Sequence, residues 1–152
     1  MARAAGRLSI EFRGDEPHER VSELLLTGRF HAFVLPCRVA ADGDRDGLPV
    51  SVLEAQAAGV PTVTTALAGF ESQLQDGRDG VLLTLSADAS RSVDPRSVDP
   101  ADLAQVLHEL YDDDGWRADL ADGARTAAEG RDTPKEQGRR LLSALLRLPP
   151  SL

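Results

Sequence analysis

Three short apolar runs, each pinned between glycine or proline and separated by helical stretches, constrain the fold more than any other feature of the chain. Phe30 to Pro36 (FHAFVLP) lies between Gly28 and Pro36 and has the profile of a strand buried on both faces. Pro61 to Thr65 and Gly80 to Leu83 (GVLL) repeat that profile. Leu48 to Ala58 (LPVSVLEAQAA) reads as a helix between the first two runs, with Pro49 suited to its first turn and Gly59 and Pro61 to its stop. A short helical turn near Glu71 to Leu74 falls before the third run. Strands alternating with helices at these intervals are the pattern of right-handed crossovers around a parallel sheet. The expected fold class is α/β, a doubly wound parallel sheet followed by C-terminal helices.

Around this centre the signals are simpler. Residues 1–9 have no period and read as a tail, residues 10–130 as the α/β domain, and residues 131–152 as a C-terminal helix. Leu8, Ile10 and Phe12 alternate as a short strand closed by Gly14. PHERVSELLLTG carries Val21, Leu24 and Leu25 at helical spacing, and Gly28 is placed to end that helix. Asp99 can cap and Pro100 can open a helix with Leu103, Val106, Leu107 and Leu110 in one stripe. Trp116 and Leu120 mark a second helix ending near Gly130. Thr133, Pro134 and Glu136 have capping-box spacing before an arginine-rich helix bearing Leu141, Leu142, Leu145 and Leu148. RSVDP occurs twice in tandem, at 91–95 and 96–100, and reads as a loop expansion without function. Five extra loop residues there cost well under ~1 kcal/mol of closure entropy.

Charge and cysteine usage exclude several functions. Among 152 residues, 17 Lys and Arg face 25 Asp and Glu, a net charge of −8, which disfavours nucleic acid and anionic membranes as partners. No apolar run is long enough to span a bilayer, and the N-terminus lacks the apolar stretch of a secretory signal. A single cysteine, Cys37, excludes an intrachain disulfide framework, and a reducing cytoplasm is the expected compartment. The histidines, His18, His31 and His108, show no metal-ligand spacing, so no metal is expected. Cys37 reads as a small buried side chain rather than a reactive thiol.

In a doubly wound sheet ligands bind beyond the carboxyl ends of the strands, and PCRVAADGDRDGLPVSVLEAQAAGVP occupies that place. A strand ends at Pro36, a Gly- and Asp-rich loop follows, and the helix opening near Pro49 offers unpaired N–H groups suited to a phosphate. Gly47 allows close backbone approach. Glu54 is the one ionisable side chain among apolar neighbours in that helix, and a carboxylate matches the two adjacent hydroxyls of a ribose or sugar. Asp46, eight positions earlier, can face the same pocket from the loop. The residues alone equally allow Asp46 as a dipole-stabilising acid at a helix start and Glu54 as a surface residue. Arg38 and Arg45 read as exposed loop arginines, and His18 follows Pro17 at a helix start with no partner visible.

These residues resemble the signature of the retaining GT-B glycosyltransferases called family 4, or glycosyl transferases group 1. FVLPC at 33–37, DGLP at 46–49 and EAQAAGVPTV at 54–63 take the places of the family pattern of an apolar strand ending in Pro-Ser, then Glu-Gly-x-Pro, then Glu-Ala-x-Ala-x-Gly-x-Pro-Val-Val. The loop AADGDRDGLPVSVLEA is similar to enzymes of exopolysaccharide and colanic-acid-type assembly. EFRGDEPHERVSELL upstream, and AGF at 68–70, QDGRDGVLL at 75–83 and DPADLAQVLHELYDDDGWRADLADGAR downstream, extend the likeness over residues 10–130. The resemblance implies a nucleotide-sugar donor, such as a UDP- or GDP-sugar, and no separate cofactor. It places Glu54 on the donor ribose, Asp46 on the donor sugar, Gly47, Leu48 and Pro49 near the diphosphate, and Gly69 and Phe70 near the sugar. Transfer to a glycan or lipid-linked acceptor would proceed with retention.

Three departures from the family pattern accompany the likeness. Asp46 is one methylene shorter than the family's Glu, and a misplacement of over ~1 Å costs roughly 10²-fold in rate. Gly69-Phe70-Glu71-Ser72 lacks the family's proline. The acceptor-binding N-terminal domain, and the first strand and helix of the donor domain with its phosphate-neutralising Arg and Lys, have no counterpart here. The expectation is a chain inactive in isolation that works with a missing domain or a separate partner chain. Its Leu141, Leu142, Leu145 and Leu148 stripe would be partly exposed and prone to self-association. The alternative is a degenerate remnant or protein-interaction module of the same fold.

Overall fold

The structure is a computed structural model that describes residues 10–47, 49–85 and 97–145. The tail over 1–9, Leu48, the first RSVDP copy with the start of the second, and Leu148 lie outside the described residues. Helix α1 spans His18–Leu26, strand β1 Phe33–Leu35, α2 Val50–Ala57, β2 Thr62–Thr65 and β3 Gly80–Leu83. A 3-10 turn at Phe70–Ser72 lies between β2 and β3. Helices α3 (Pro100–Asp112), α4 (Asp114–Glu129) and α5 (Pro134–Leu145) follow. The strands lie in the order β1-β2-β3, both pairings parallel, with Val34 beside Val63 and Val63 beside Val81.

Side-chain alternation sorts the core onto two faces. Val63, Val81 and Leu83 pack with Val98, Leu110 and Leu120 from the α3–α4 side. Leu82, Phe33 and Leu35 face the opposite way, toward Val52 of α2 and Phe70 and Leu74 of the 3-10 turn. A third cluster of Leu25, Ala55 and Val60 fastens α1 to α2. Helices on both sides of a parallel sheet are the α/β architecture expected from the sequence. No helix among the described residues is long and apolar enough to cross a membrane.

Element ends follow their local chemistry. Gly28 and Gly59, just past α1 and α2, adopt positive φ of 66° and 68°, the left-handed turn that closes a helix. Asp99 caps α3 by accepting the Ala101 N–H at 2.8 Å, and Asp113 caps α4 by accepting that of Trp116 at 2.8 Å. At α5, Glu136 accepts the Thr133 N–H at 2.7 Å while the Thr133 hydroxyl accepts the Glu136 N–H at 3.3 Å, a reciprocal capping box. The Thr133 hydroxyl, which also donates to that carboxylate at 2.7 Å, and then the Thr133 N–H hold the Glu136 carboxyl below its ordinary pKa.

Three expectations change. Residues 10–12 are not a strand: Ile10 is 66% and Phe12 93% exposed, and no described strand lies beside them. Alternation is necessary for a half-buried strand, yet a strand also requires a neighbour to receive its backbone hydrogen bonds. The run at Phe30 to Pro36 shortens to Phe33–Leu35, and these residues are half-buried rather than buried on both faces. Among the described residues β1 has a sheet neighbour on one side only, which leaves its outer flank uncovered. The turn expected at Glu71 to Leu74 begins one residue earlier, at Phe70.

Candidate functional site

Because each strand is followed by a loop that climbs into the next helix or turn, the loops after β1 and β2 emerge at one edge of the sheet. Hydroxyls on β2 brace that edge. Thr64 Oγ1 donates to the Leu35 carbonyl and Thr65 Oγ1 to the Cys37 carbonyl, each at 2.7 Å. Threonine is β-branched, which suits a strand, and here its hydroxyl also satisfies backbone acceptors at the end of the neighbouring chain. The loop leaving β1 folds on itself around Gly43. Ala40 N–H donates to the Asp44 carbonyl at 2.8 Å, and Asp44 N–H to Asp42 Oδ1 at 3.1 Å.

The two loops meet backbone to backbone. Gly69 has φ of 107°, and a Cβ built there would collide with the carbonyl oxygen of Gly47. Glycine is thus required at position 69 on both conformational and steric grounds. The two glycines, expected from the sequence at the diphosphate and the sugar, are thereby brought together. Phe70 turns the other way. It is fully buried, and its N–H donates to the Leu67 carbonyl at 3.1 Å, so its side chain anchors the loop from below and does not face the open side where a sugar was expected.

Asp46 sits in the loop before α2, exposed as a residue but tied by one oxygen. The Cys37 thiol donates to Asp46 Oδ2 at 3.4 Å. Burial first, and then the hydrogen bond and negative charge of Asp46, push the Cys37 thiol up to about 11. A neutral, buried thiol is the small side chain expected at this position. Pro49 precedes α2 in an extended conformation, with Val50 exposed at the first turn. Arg38 and Arg45 are exposed, as expected.

Glu54 lies one turn into α2, its side chain 25% exposed. It is neither turned fully to solvent nor walled into the core. Its Oε1 is 3.4 Å from Nδ1 of His18, the first residue of α1. The sequence offered no partner for His18, because a contact between residues on separate helices leaves no trace in local spacing. Since α1 runs into β1, its N-terminus stands at the same edge of the sheet as the loops after the strands.

On the far side of α2, Arg131 donates to Gln56 Oε1 and to the Gln73 carbonyl, and Gln56 Nε2 donates to the same carbonyl at 3.1 Å. The helix bearing Glu54 and the segment after Gly69 are thus joined by a half-buried guanidinium. An open cleft of about 700 Å³ lies elsewhere, on α3 and α4, lined by His108, Glu109, Asp112, Asp113, Asp114 and Trp116. Its carboxylates repel a phosphate, so it is a poor candidate for an anionic ligand.

Residues 2–113 match the family described as glycosyl transferases group 1. Among curated relatives, the chain is 35% identical over 74 residues to the colanic acid biosynthesis glycosyltransferase WcaL of Salmonella typhimurium, covering 49% of this chain and 18% of the relative. It is 38% identical over 78 residues to a D-inositol 3-phosphate glycosyltransferase of Arthrobacter sp., covering 51% of this chain and 16% of the relative. The matched segments thus span less than a fifth of either relative. Two solved structures share the fold. WaaG, a glycosyltransferase involved in lipopolysaccharide biosynthesis, superposes with a TM-score of 0.57 at 21% identity, over 80% of this chain and 28% of its own. The pneumococcal O-GlcNAc transferase GtfA, in complex with UDP and GlcNAc, gives 0.60 at 18% identity, over 84% and 23%. With a family match across most of its length and the α/β fold of GT-B glycosyltransferases, the chain belongs to the glycosyl transferases group 1 family.

Proposed function

We propose that this chain is the donor-binding part of a glycosyltransferase that moves a sugar from a nucleotide-sugar to a glycan or lipid-linked acceptor with retention, in the cytoplasm. The observation that carries the reading is the meeting of the Gly47 and Gly69 backbones at the sheet edge where α2 begins. In this reading the half-buried Glu54 accepts both hydroxyls of the donor ribose. The N–H groups and positive dipole end of α2, after Pro49, face the diphosphate. Gly47 borders that diphosphate, Gly69 offers its backbone to the sugar, and Asp46 reaches a sugar hydroxyl with the oxygen that Cys37 leaves free. GtfA is solved with UDP, which makes UDP the first donor nucleotide to test, with GDP as the second.

Transfer also needs an acceptor held opposite the donor, by a further domain or a partner chain. The isolated chain therefore binds donor without transferring sugar. Calorimetry with UDP- and GDP-sugars tests the assignment. Binding by the wild type that Glu54→Ala abolishes is the expected result, since each charged hydrogen bond to a hydroxyl contributes roughly 1.5–3 kcal/mol. Absence of binding at millimolar donor overturns it in favour of a non-catalytic remnant of the fold. Sugar transfer by the purified chain alone overturns the need for a second domain.

A further inference from the structure

Resting on the donor-site reading of Glu54, we propose that His18 is a positioning residue that fixes the Glu54 carboxylate in its ligand-accepting orientation. Two side chains from different helices meet at the sheet edge: Nδ1 of His18 and Oε1 of Glu54 are 3.4 Å apart. The approach is set by packing rather than by the contact itself. Leu25 of α1 is buried against Ala55, the residue after Glu54, and against Val60, so the two helices are docked whatever the charge at position 18.

Exposure differs sharply between the partners, His18 at 69% and Glu54 at 25%. The imidazole therefore stands on the solvent side of the carboxylate and leaves the burden of burial to Glu54. A glutamate on a helix has three side-chain torsions to fix when it engages a ligand, and a partner already in place lowers that entropic cost. With His18 beside Oε1, Oε2 and the remaining lone pair of Oε1 stay available to the two ligand hydroxyls. At 3.4 Å the contact is longer than a strong hydrogen bond, which leaves it free to tighten when ligand arrives.

The test compares His18→Leu and His18→Gln with wild type, using UDP and GDP as probes in calorimetry and the imidazole ¹⁵N resonances of the three histidines in NMR. Glu54→Gln in the unliganded chain is expected to move the His18 resonance and leave those of His31 and His108 in place. His18→Leu is expected to weaken nucleotide binding by about fivefold with an unchanged melting temperature, the scale of one exposed polar contact. His18→Gln, whose amide can still donate to the carboxylate, is expected to restore most of that loss. Nucleotide binding that His18→Leu leaves at the wild-type level overturns the positioning role and leaves the donor site standing. A His18 resonance indifferent to Glu54→Gln overturns the pairing. Wild type that binds neither nucleotide at millimolar concentration overturns the donor site and this role together.

Discussion

Gly69 is the residue on which the edge of the sheet turns. Replacing it with alanine sets two penalties against the loop, a left-handed backbone that L-residues avoid and a Cβ inside the Gly47 carbonyl. We expect Gly69→Ala to destabilise by at least ~2 kcal/mol and to lose nucleotide binding, read by thermal melting and calorimetry. Cys37 gives a second expectation. Its folded pKa, near 11, exceeds the reference of 9.0, so the native state holds this proton more tightly than the unfolded chain. The stabilisation is fully present below pH 9 and is lost as the pH rises through 11, on the order of 2 kcal/mol for a shift of that size. Alkylation kinetics should show an unreactive thiol at pH 8 in the folded chain and a reactive one in denaturant. The carboxylates and glycines of this edge were legible in the sequence because their chemistry is carried by residue type. Their partners were not. His18 beside Glu54 and Cys37 beside Asp46 depend on how α1 docks on α2 and how the loop after β1 folds back, and spacing encodes neither.

Among the elements, α4 and α5 give one substitution opposite signs. In a helix interior alanine is favoured over glycine by about 1 kcal/mol. At Gly138 of α5 a Cβ would meet open space, so Gly138→Ala is expected to stabilise the helix by about that amount. At Gly123 of α4 a Cβ would strike the backbone carbonyl of Arg78, in the turn before β3. Overpacking against backbone typically costs 1–3 kcal/mol and outweighs propensity, so Gly123→Ala is expected to lower stability, most simply seen as a fall in melting temperature. Elements with terminal signals were the ones the sequence placed well. Pro49 and Gly59 bracket α2, and Asp99 and Pro100 open α3. The segment through Ile10 and Phe12 had the right alternation and still forms no strand over residues 10–12, because pairing depends on a neighbour that local pattern does not report.

For the molecule as a whole, apolar surface is distributed unevenly. Leu141 and Leu142 on α5 are 62% and 58% exposed, in a helix whose residues 135–143 all face solvent. Burying two such side chains at a contact contributes roughly 1.5–3 kcal/mol each. We expect the sedimentation-average mass to rise with concentration and hydrophobic dye to bind, and Leu141→Glu with Leu142→Lys to suppress both; a wild-type chain that stays monomeric and dye-silent rules this out. The layered α/β arrangement itself was readable from alternating elements, and the exposed leucines of α5 were expected from the family likeness, whereas the uncovered flank of β1 was not legible, since it depends on what packs beside it. The contact between Gly47 and Gly69 also bears on how such a scaffold could be re-engineered. Two stretches of chain that interlock through main-chain atoms behave as a single graft. Transplanting one from a relative without the other would import a mismatch that no choice of side chain can repair, so altered donor preference should come from exchanging the pair together.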